Sequence, residues 1–255
     1  MKLAVVGKGG AGKSVLTGTL ARLLARRGHR VLVLDSDSVP GLTFSLGADA
    51  PDEPPLDAAV ELGADRQWRF VHGVDPVRAV QRYATDAPDG VRLLQAGKTG
   101  PGGRAPLMSA INAFWMIVHG LGSAPAFRDW VVLGDLPAGA HQTAYDWAPY
   151  AERYLLVVEP TWQSMLTARR IKRIATTARP DVAVSLVVNK VTGPADAERV
   201  AAYLRLPALA AVPVDEGVRV AELRGGALLD IAPDGPAVRA IEQLTDRLRG
   251  DSLAP

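Results

Sequence analysis

The chain has 255 residues, 48% of them hydrophobic, which is enough apolar material for one sizeable core and within the span of a single α/β layer structure. It contains no cysteine, so disulfides, thiolate metal sites and thiol nucleophiles are all excluded. With 29 basic against 27 acidic residues the net charge is +2, too balanced to imply a nucleic-acid partner by itself; Arg169, Arg170, Lys172 and Arg173 form the one local basic cluster.

The first apolar run predicts a strand at residues 2–6, and no signal-peptide pattern surrounds it, so a cytoplasmic location is expected. Glycine-rich residues 7–12 follow, and then a helix predicted over residues 13–26. A strand at 31–34 ends in Asp35 and Asp37. Residues 49–57, rich in proline and acid, read as an exposed loop, and the pattern assigns no element from there to residue 90. Further strands are predicted at 91–94, 130–133, 154–158, 182–188 and 209–212, with helices at 107–119, 164–178, 195–204 and 236–249. Short valine- and leucine-rich runs alternating with helical periods predict an α/β fold. The expectation is a doubly wound, mostly parallel sheet of about seven strands with helices on both faces, forming one domain over residues 1–255.

The charge-free stretch 105–127 is interrupted by Ser109, Asn112, His119, glycines and a proline, so no integral membrane association is expected. Its Leu107, Ile111, Phe114, Trp115 and Val118 recur at roughly helical spacing, which fits either a core stripe or an exposed surface completed by a second subunit or a client.

Gly7-Lys8-Gly9-Gly10-Ala11-Gly12-Lys13-Ser14 satisfies the phosphate-loop pattern in full and lies between a strand and a helix, with Val15 next in line. In such a loop successive backbone N–H groups from Gly9, Gly10, Ala11 and Gly12 turn inward onto phosphates, Lys13 neutralises the β and γ oxygens, and the Ser14 hydroxyl reaches Mg2+. Gly7, Gly9 and Gly12 with Asp35 also fit a dinucleotide fingerprint, but that reading leaves Lys13-Ser14 and the acidic strand end Asp135 unexplained. ATP and Mg2+ are therefore the expected ligands. Asp37 is placed to orient the attacking water and, with Ser14, to serve the metal, and Asp135 to hold Mg2+ through water; capping of the following turn is the structural alternative for Asp35 and Asp37. Gly139 is a candidate N–H donor to the γ-phosphate, with the loop to Tyr145 as a switch. His29, His72, His119 and His141 are scattered and read as structural.

Lys8, the second residue of the loop, makes the chain resemble the deviant Walker A ATPases, a family that includes ParA and MinD proteins, nitrogenase iron protein and the nickel-insertion ATPases of carbon monoxide dehydrogenase. The resemblance implies an ATP-bound homodimer in which Lys8 reaches the partner's nucleotide, with Lys8, Lys13 and Asp37 as catalytic residues. It also implies adenine recognition by Asn189 and by the segment Pro213, Val214 and Asp215. Val157-Val158-Glu159-Pro160-Thr161, Thr167-Ala168-Arg169-Arg170 and Leu93-Leu94-Gln95-Ala96-Gly97-Lys98 resemble the nickel-insertion group most. Where that group carries a metal-binding Cys-x-Cys, this chain reads Ala105-Pro106-Leu107-Met108-Ser109, so the resemblance implies nucleotide chemistry without the metal role. The function expected is a slow, Mg-dependent ATPase acting as an accessory or maturation factor on a client protein. The alternative is a spatial organiser of the ParA/MinD type, and DNA binding by the Arg169 cluster is the less favoured reading.

Overall fold

A computed structural model describes residues 1–37, 41–49, 54–97, 103–144 and 146–252. Its centre is β1 (Lys2–Gly7), flanked by β7 (Val131–Asp135) on one side and β8 (Arg153–Val158) on the other. Beyond β7 lie β2 (Val31–Asp35), β6 (Val91–Gln95) and β5 (Thr85–Ala87); beyond β8 lie β9 (Ala183–Val191) and β10 (Ala208–Pro213). Every neighbouring pair is parallel except the antiparallel edge pair of β5 with β6.

Alternate residues of the central strands enter two separate cores, as the period of two in a strand requires. Val5, Val33, Leu133, Leu155 and Val187 face one core, where α1 (Lys13–Arg26) and α10 (Pro236–Ser252) contribute Leu16, Leu20, Leu24, Ile241 and Leu244. Ala4, Leu32, Val132, Leu156 and Val188 face the other, covered by α3 (Pro76–Tyr83), α4 (Arg104–Leu121), α6 (Trp162–Ala178) and α7 (Pro194–Leu204). Burial on both faces explains the unbroken apolar runs of the sequence. It also leaves the carboxyl ends of the strands as the place for a ligand, where the loops after β1, β2 and β7 converge.

All seven expected strands are present, and the sheet has an eighth, β5, three residues long. Residues 49–90, unassigned from sequence, also hold a separate hairpin of β3 (Val60–Leu62) and β4 (Trp68–Phe70) and the helix α3. Three-residue strands carry no measurable period, whereas α3 had a visible start: Pro76 follows Asp75, whose carboxylate accepts from the Arg78 N–H at 2.8 Å. The short helices α2 (Gly41–Leu46), α5 (His141–Ala144), α8 (Glu216–Arg224) and α9 (Leu228–Ile231) complete the fold.

The apolar stripe expected on α4 is rotated. Ala110, Ala113, Phe114, Ile117, Val118 and Leu121 are buried, Leu107 and Ile111 are half-buried, and Trp115 is 45% exposed with Met108 39% exposed beside it. Ala110 and Ala113 belong to the buried face, and alanine does not stand out in a stripe defined by large residues.

Arg22 of α1 is buried at 3% exposure and ties that helix to two distant segments: its Nε donates to Asp89 and its two terminal nitrogens to Asp230 of α9, all at 2.6–2.7 Å. No described helix is long and apolar enough to cross a membrane.

Candidate nucleotide site

β1 delivers the chain to the carboxyl edge at Gly7, where any side chain is refused: a Cβ there would lie 2.4 Å from the Val157 carbonyl oxygen of β8. The loop then folds back through Gly12, which is left-handed at φ 87 and stands at the N-cap of α1 with no side-chain cap. The first N–H groups of α1 therefore face the loop without a capping side chain, which with the helix dipole makes an anion cradle.

Lys13 enters this cradle almost fully buried, its Nζ 3.4 Å from the Lys8 carbonyl oxygen. Burial lowers its pKa, and the carboxylates of Asp135 and Asp37 act in the opposite direction. Next to it the Ser14 hydroxyl donates to Asp135 Oδ2 at 2.6 Å. Asp35 and Asp135 stand level on adjacent strands, paired in the β2–β7 register. Each has one buried oxygen without a hydrogen-bond partner, Oδ2 of Asp35 and Oδ1 of Asp135. Burial pushes Asp135 up to about 6 against the pull of Ser14 and Lys13, and burial together with the Asp135 charge raises Asp35 well above its ordinary value. The Asp37 N–H donates to Asp35 Oδ1 at 3.1 Å, which sets the turn that carries Asp37, half-buried, towards the same edge.

Two strained carboxylates and a serine hydroxyl fit a hard divalent cation that draws its remaining ligands from phosphate and water. Among the described residues no group of three or more His, Cys, Asp or Glu side chains is placed to hold a metal ion by itself.

These energetics give an expected result for the free protein. The Asp135 carboxyl titrates near 3.8 unfolded and about 6 folded, so the folded chain holds its proton more tightly. Stability from this group is complete below about pH 4 and falls as pH rises to about 6, by roughly 3 kcal/mol. Asp135→Asn is thus expected to melt a few degrees above wild type at pH 7.5 without ligand and level with it near pH 4. Thermal unfolding at the two pH values checks this, and a variant melting below wild type at pH 7.5 contradicts it.

Alongside the phosphate cradle lies an apolar cavity of about 210 Å³, walled by Val15, Asn189, Pro213, Val214 and Val218. A groove of about 370 Å³ over Gly10, Lys13, Ser14 and Phe44 shares Gly12, Val15 and Lys190 with it. The two together accommodate a base beside a phosphate chain.

Several sequence-selected residues are brought here with roles that need restating. Asn189, nearly buried, donates its amide N–H to the Ala11 carbonyl oxygen at 2.7 Å, so it braces the phosphate loop as well as lining the cavity. The Asp215 carboxylate accepts from Gly217 N–H at 2.7 Å and Ala237 N–H at 2.9 Å, capping α8 and α10; its part in the cavity is to fix the wall. The Gly139 N–H donates to the Gly7 carbonyl oxygen at 3.0 Å, so in this conformation it is spent on the loop and not on a phosphate. Tyr145 and Lys98 lie outside the described residues. Lys8 is half-exposed and, among the described residues, its ammonium donates to the Gly9 carbonyl oxygen at 3.2 Å.

Lys190 was missed. Its Nζ donates to the Gly10 carbonyl oxygen and to Glu159 Oε1, each at 2.7 Å, pinning the phosphate loop to the end of β8. A lysine directly after Asn189 at a strand's end was the available signal.

A phosphate loop on the central strand of a doubly wound parallel sheet, with buried acids on the neighbouring strands, defines a P-loop nucleotide-binding protein. Comparison with known proteins is consistent with this throughout. The model of the CobQ/CobB/MinD/ParA nucleotide binding domain matches residues 3–229, and the chain belongs to that family. It is 28% identical to an uncharacterised ATP-binding protein of Methanocaldococcus jannaschii, over 96% of each chain. It is 26% identical to the carbon monoxide dehydrogenase accessory protein CooC of Rhodospirillum rubrum, over 91% of each. Among solved structures, the septum site-determining protein MinD of Pyrococcus horikoshii in complex with Mg-ADP superposes with a TM-score of 0.74 at 20% identity, covering 99% of this chain and 97% of that one.

Proposed function

We propose that the chain binds Mg-ATP in this groove, closes around it as a homodimer, and uses hydrolysis to act on a client protein as an accessory or maturation ATPase. The observation that carries the reading is the Ser14–Asp135 pair at 2.6 Å, set between a buried lysine and two carboxyl oxygens left without partners. Ser14, Asp135 and Asp35 would hold Mg2+, which would supply positive charge against the phosphate oxygens and the two buried carboxyls. Lys13 and the N–H groups at the start of α1 hold and orient the phosphate chain, and Val15, Asn189 and the 213–215 segment enclose the base. Asp37 orients the attacking water at the open edge. The MinD complex with Mg-ADP supports the ligand, and the likeness to an accessory protein supports the client role. A spatial organiser of the ParA/MinD type shares the same cycle and differs only in its cargo.

Dimer closure is tested through Lys8. Among the described residues its ammonium makes no ion pair with a carboxylate and donates to one neighbouring carbonyl, so it is available to reach the phosphates of a second subunit. Lys8→Ala is expected to fold normally and bind ADP while remaining monomeric with a slowly hydrolysed ATP analogue that dimerises wild type. Sedimentation reads the outcome, and a variant that dimerises like wild type confines the lysine to its own subunit.

A further inference from the structure

The outer face of α6 takes no part in the nucleotide groove. This helix buries Ser164, Met165, Ala168, Ile171 and Ala175 against the sheet. On the opposite side Trp162, 60% exposed, and Leu166, 37% exposed, are followed by the exposed Arg169, Arg170 and Arg173. Spacings of four, three and four residues align them as one stripe, apolar over its first turn and cationic over the turn from Arg169 to Arg173.

The stripe is held ready. Tyr203 of α7 meets Trp162 edge-on at 5.2 Å between ring centroids, and the Arg169 guanidinium lies 5.4 Å from the centre of the same tyrosine ring. Neighbouring cations are neutralised or occupied: Arg199 pairs with Asp196 at 2.7 Å, and Lys172 Nζ donates to the Leu204 carbonyl oxygen at 2.9 Å. No carboxylate among the described residues pairs with Arg169, Arg170 or Arg173. Tryptophan and arginine are the side chains that most often anchor interfaces, and a rigid guanidinium matches a carboxylate in two hydrogen bonds.

We propose that this face docks an acidic amphipathic segment of a partner protein, with apolar side chains against Trp162 and Leu166 and carboxylates against Arg169, Arg170 and Arg173. The proposal rests on the reading of the chain as a client-directed ATPase and supplies the chemistry of the docking segment. The arginines match carboxylates or phosphates equally, and the exposed apolar pair Trp162 and Leu166 on the same stripe favours protein over nucleic acid. An exposed leucine beside the cations gains nothing against a phosphate backbone, whereas it can be buried against an apolar side chain of a peptide.

The test uses the full chain with ADP and a fluorescein-labelled helical peptide bearing two leucines one turn apart, followed by three glutamates on the same face. Anisotropy is expected to show micromolar binding. Trp162→Ala, and separately the double variant Arg169→Glu with Arg173→Glu, should each weaken it at least about tenfold and leave peptide-free ATP hydrolysis unchanged. The same peptide with lysines for glutamates should not bind. Equal binding of the lysine peptide, indifference to the variants, or a preference for duplex DNA or phosphatidylglycerol vesicles that the arginine variants abolish would each overturn the proposal. Normal ATP hydrolysis with no binding of the acidic peptide removes this docking surface alone. Peptide binding by a wild-type chain that hydrolyses no ATP removes the ATPase reading instead.

Discussion

Gly12→Ala should weaken ATP binding by at least about a hundredfold while leaving a folded protein. Gly12 sits at φ 87, a conformation that costs alanine about 1–2 kcal/mol. The steric demand is larger: a Cβ there would lie 2.3 Å from Asn189 Nδ2, the atom that holds the Ala11 carbonyl. To admit a methyl group the amide must leave, the loop must open, or the start of α1 must shift, and each of these moves Lys13 and Ser14 away from their shared target. The two apolar cores lie behind this end of the helix and keep their packing. Gly10→Ala provides the contrast, since Gly10 also has positive φ, at 78, but no atom lies within 4 Å of its added carbon. It should lower the melting temperature of the free protein less than Gly12→Ala does. Titration with a fluorescent ATP analogue and thermal unfolding measure both effects, and near-normal affinity in Gly12→Ala would show that the loop is not built around this contact.

Asp37→Ala should retain Mg-ATP binding and lose turnover at least about tenfold. Its N–H is fixed by Asp35, and its carboxylate bears electrostatically on both Lys13 and Asp135, yet it belongs to neither the phosphate cradle nor the Ser14–Asp135 pair. Removal of the carboxylate is therefore expected to leave the binding elements in place and to take away a half-buried group beside them that can order a water molecule. Asp37→Asn should fail similarly if the carboxylate charge is what matters. Steady-state hydrolysis in either variant close to wild type would assign the water to another residue.

The central sheet was legible because strands buried on both faces read as continuous runs such as Val31-Leu32-Val33-Leu34, and the phosphate loop because its chemistry is local. What was not legible depends on distance along the chain. Asn189 and Ala11 are 178 residues apart, and nothing near either announces that one braces the other. Asp215 looked like a base-edge residue and is engaged in capping two helices, one of which begins 21 residues later at Pro236. Lys190 shows the same limit, since its two acceptors come from the loop after β1 and the turn after β8. On α4 the difference was local: Phe114 and Val118 are core as one of the two readings had it, but large residues outweighed Ala110 and Ala113, which share that buried face while Trp115 is exposed.

The central position of β1 has a consequence for biosynthesis. Its partners are Val131–Asp135 and Arg153–Val158, so the strand that carries the phosphate loop has nothing to pair with until more than half of the chain exists. At about 5–20 residues per second the nascent loop waits roughly 7–30 s while the segments that will enclose it are translated. Nucleotide thus cannot template the early chain, and truncated products ending before β8 should emerge from the ribosome unable to retain ATP, without competing for it.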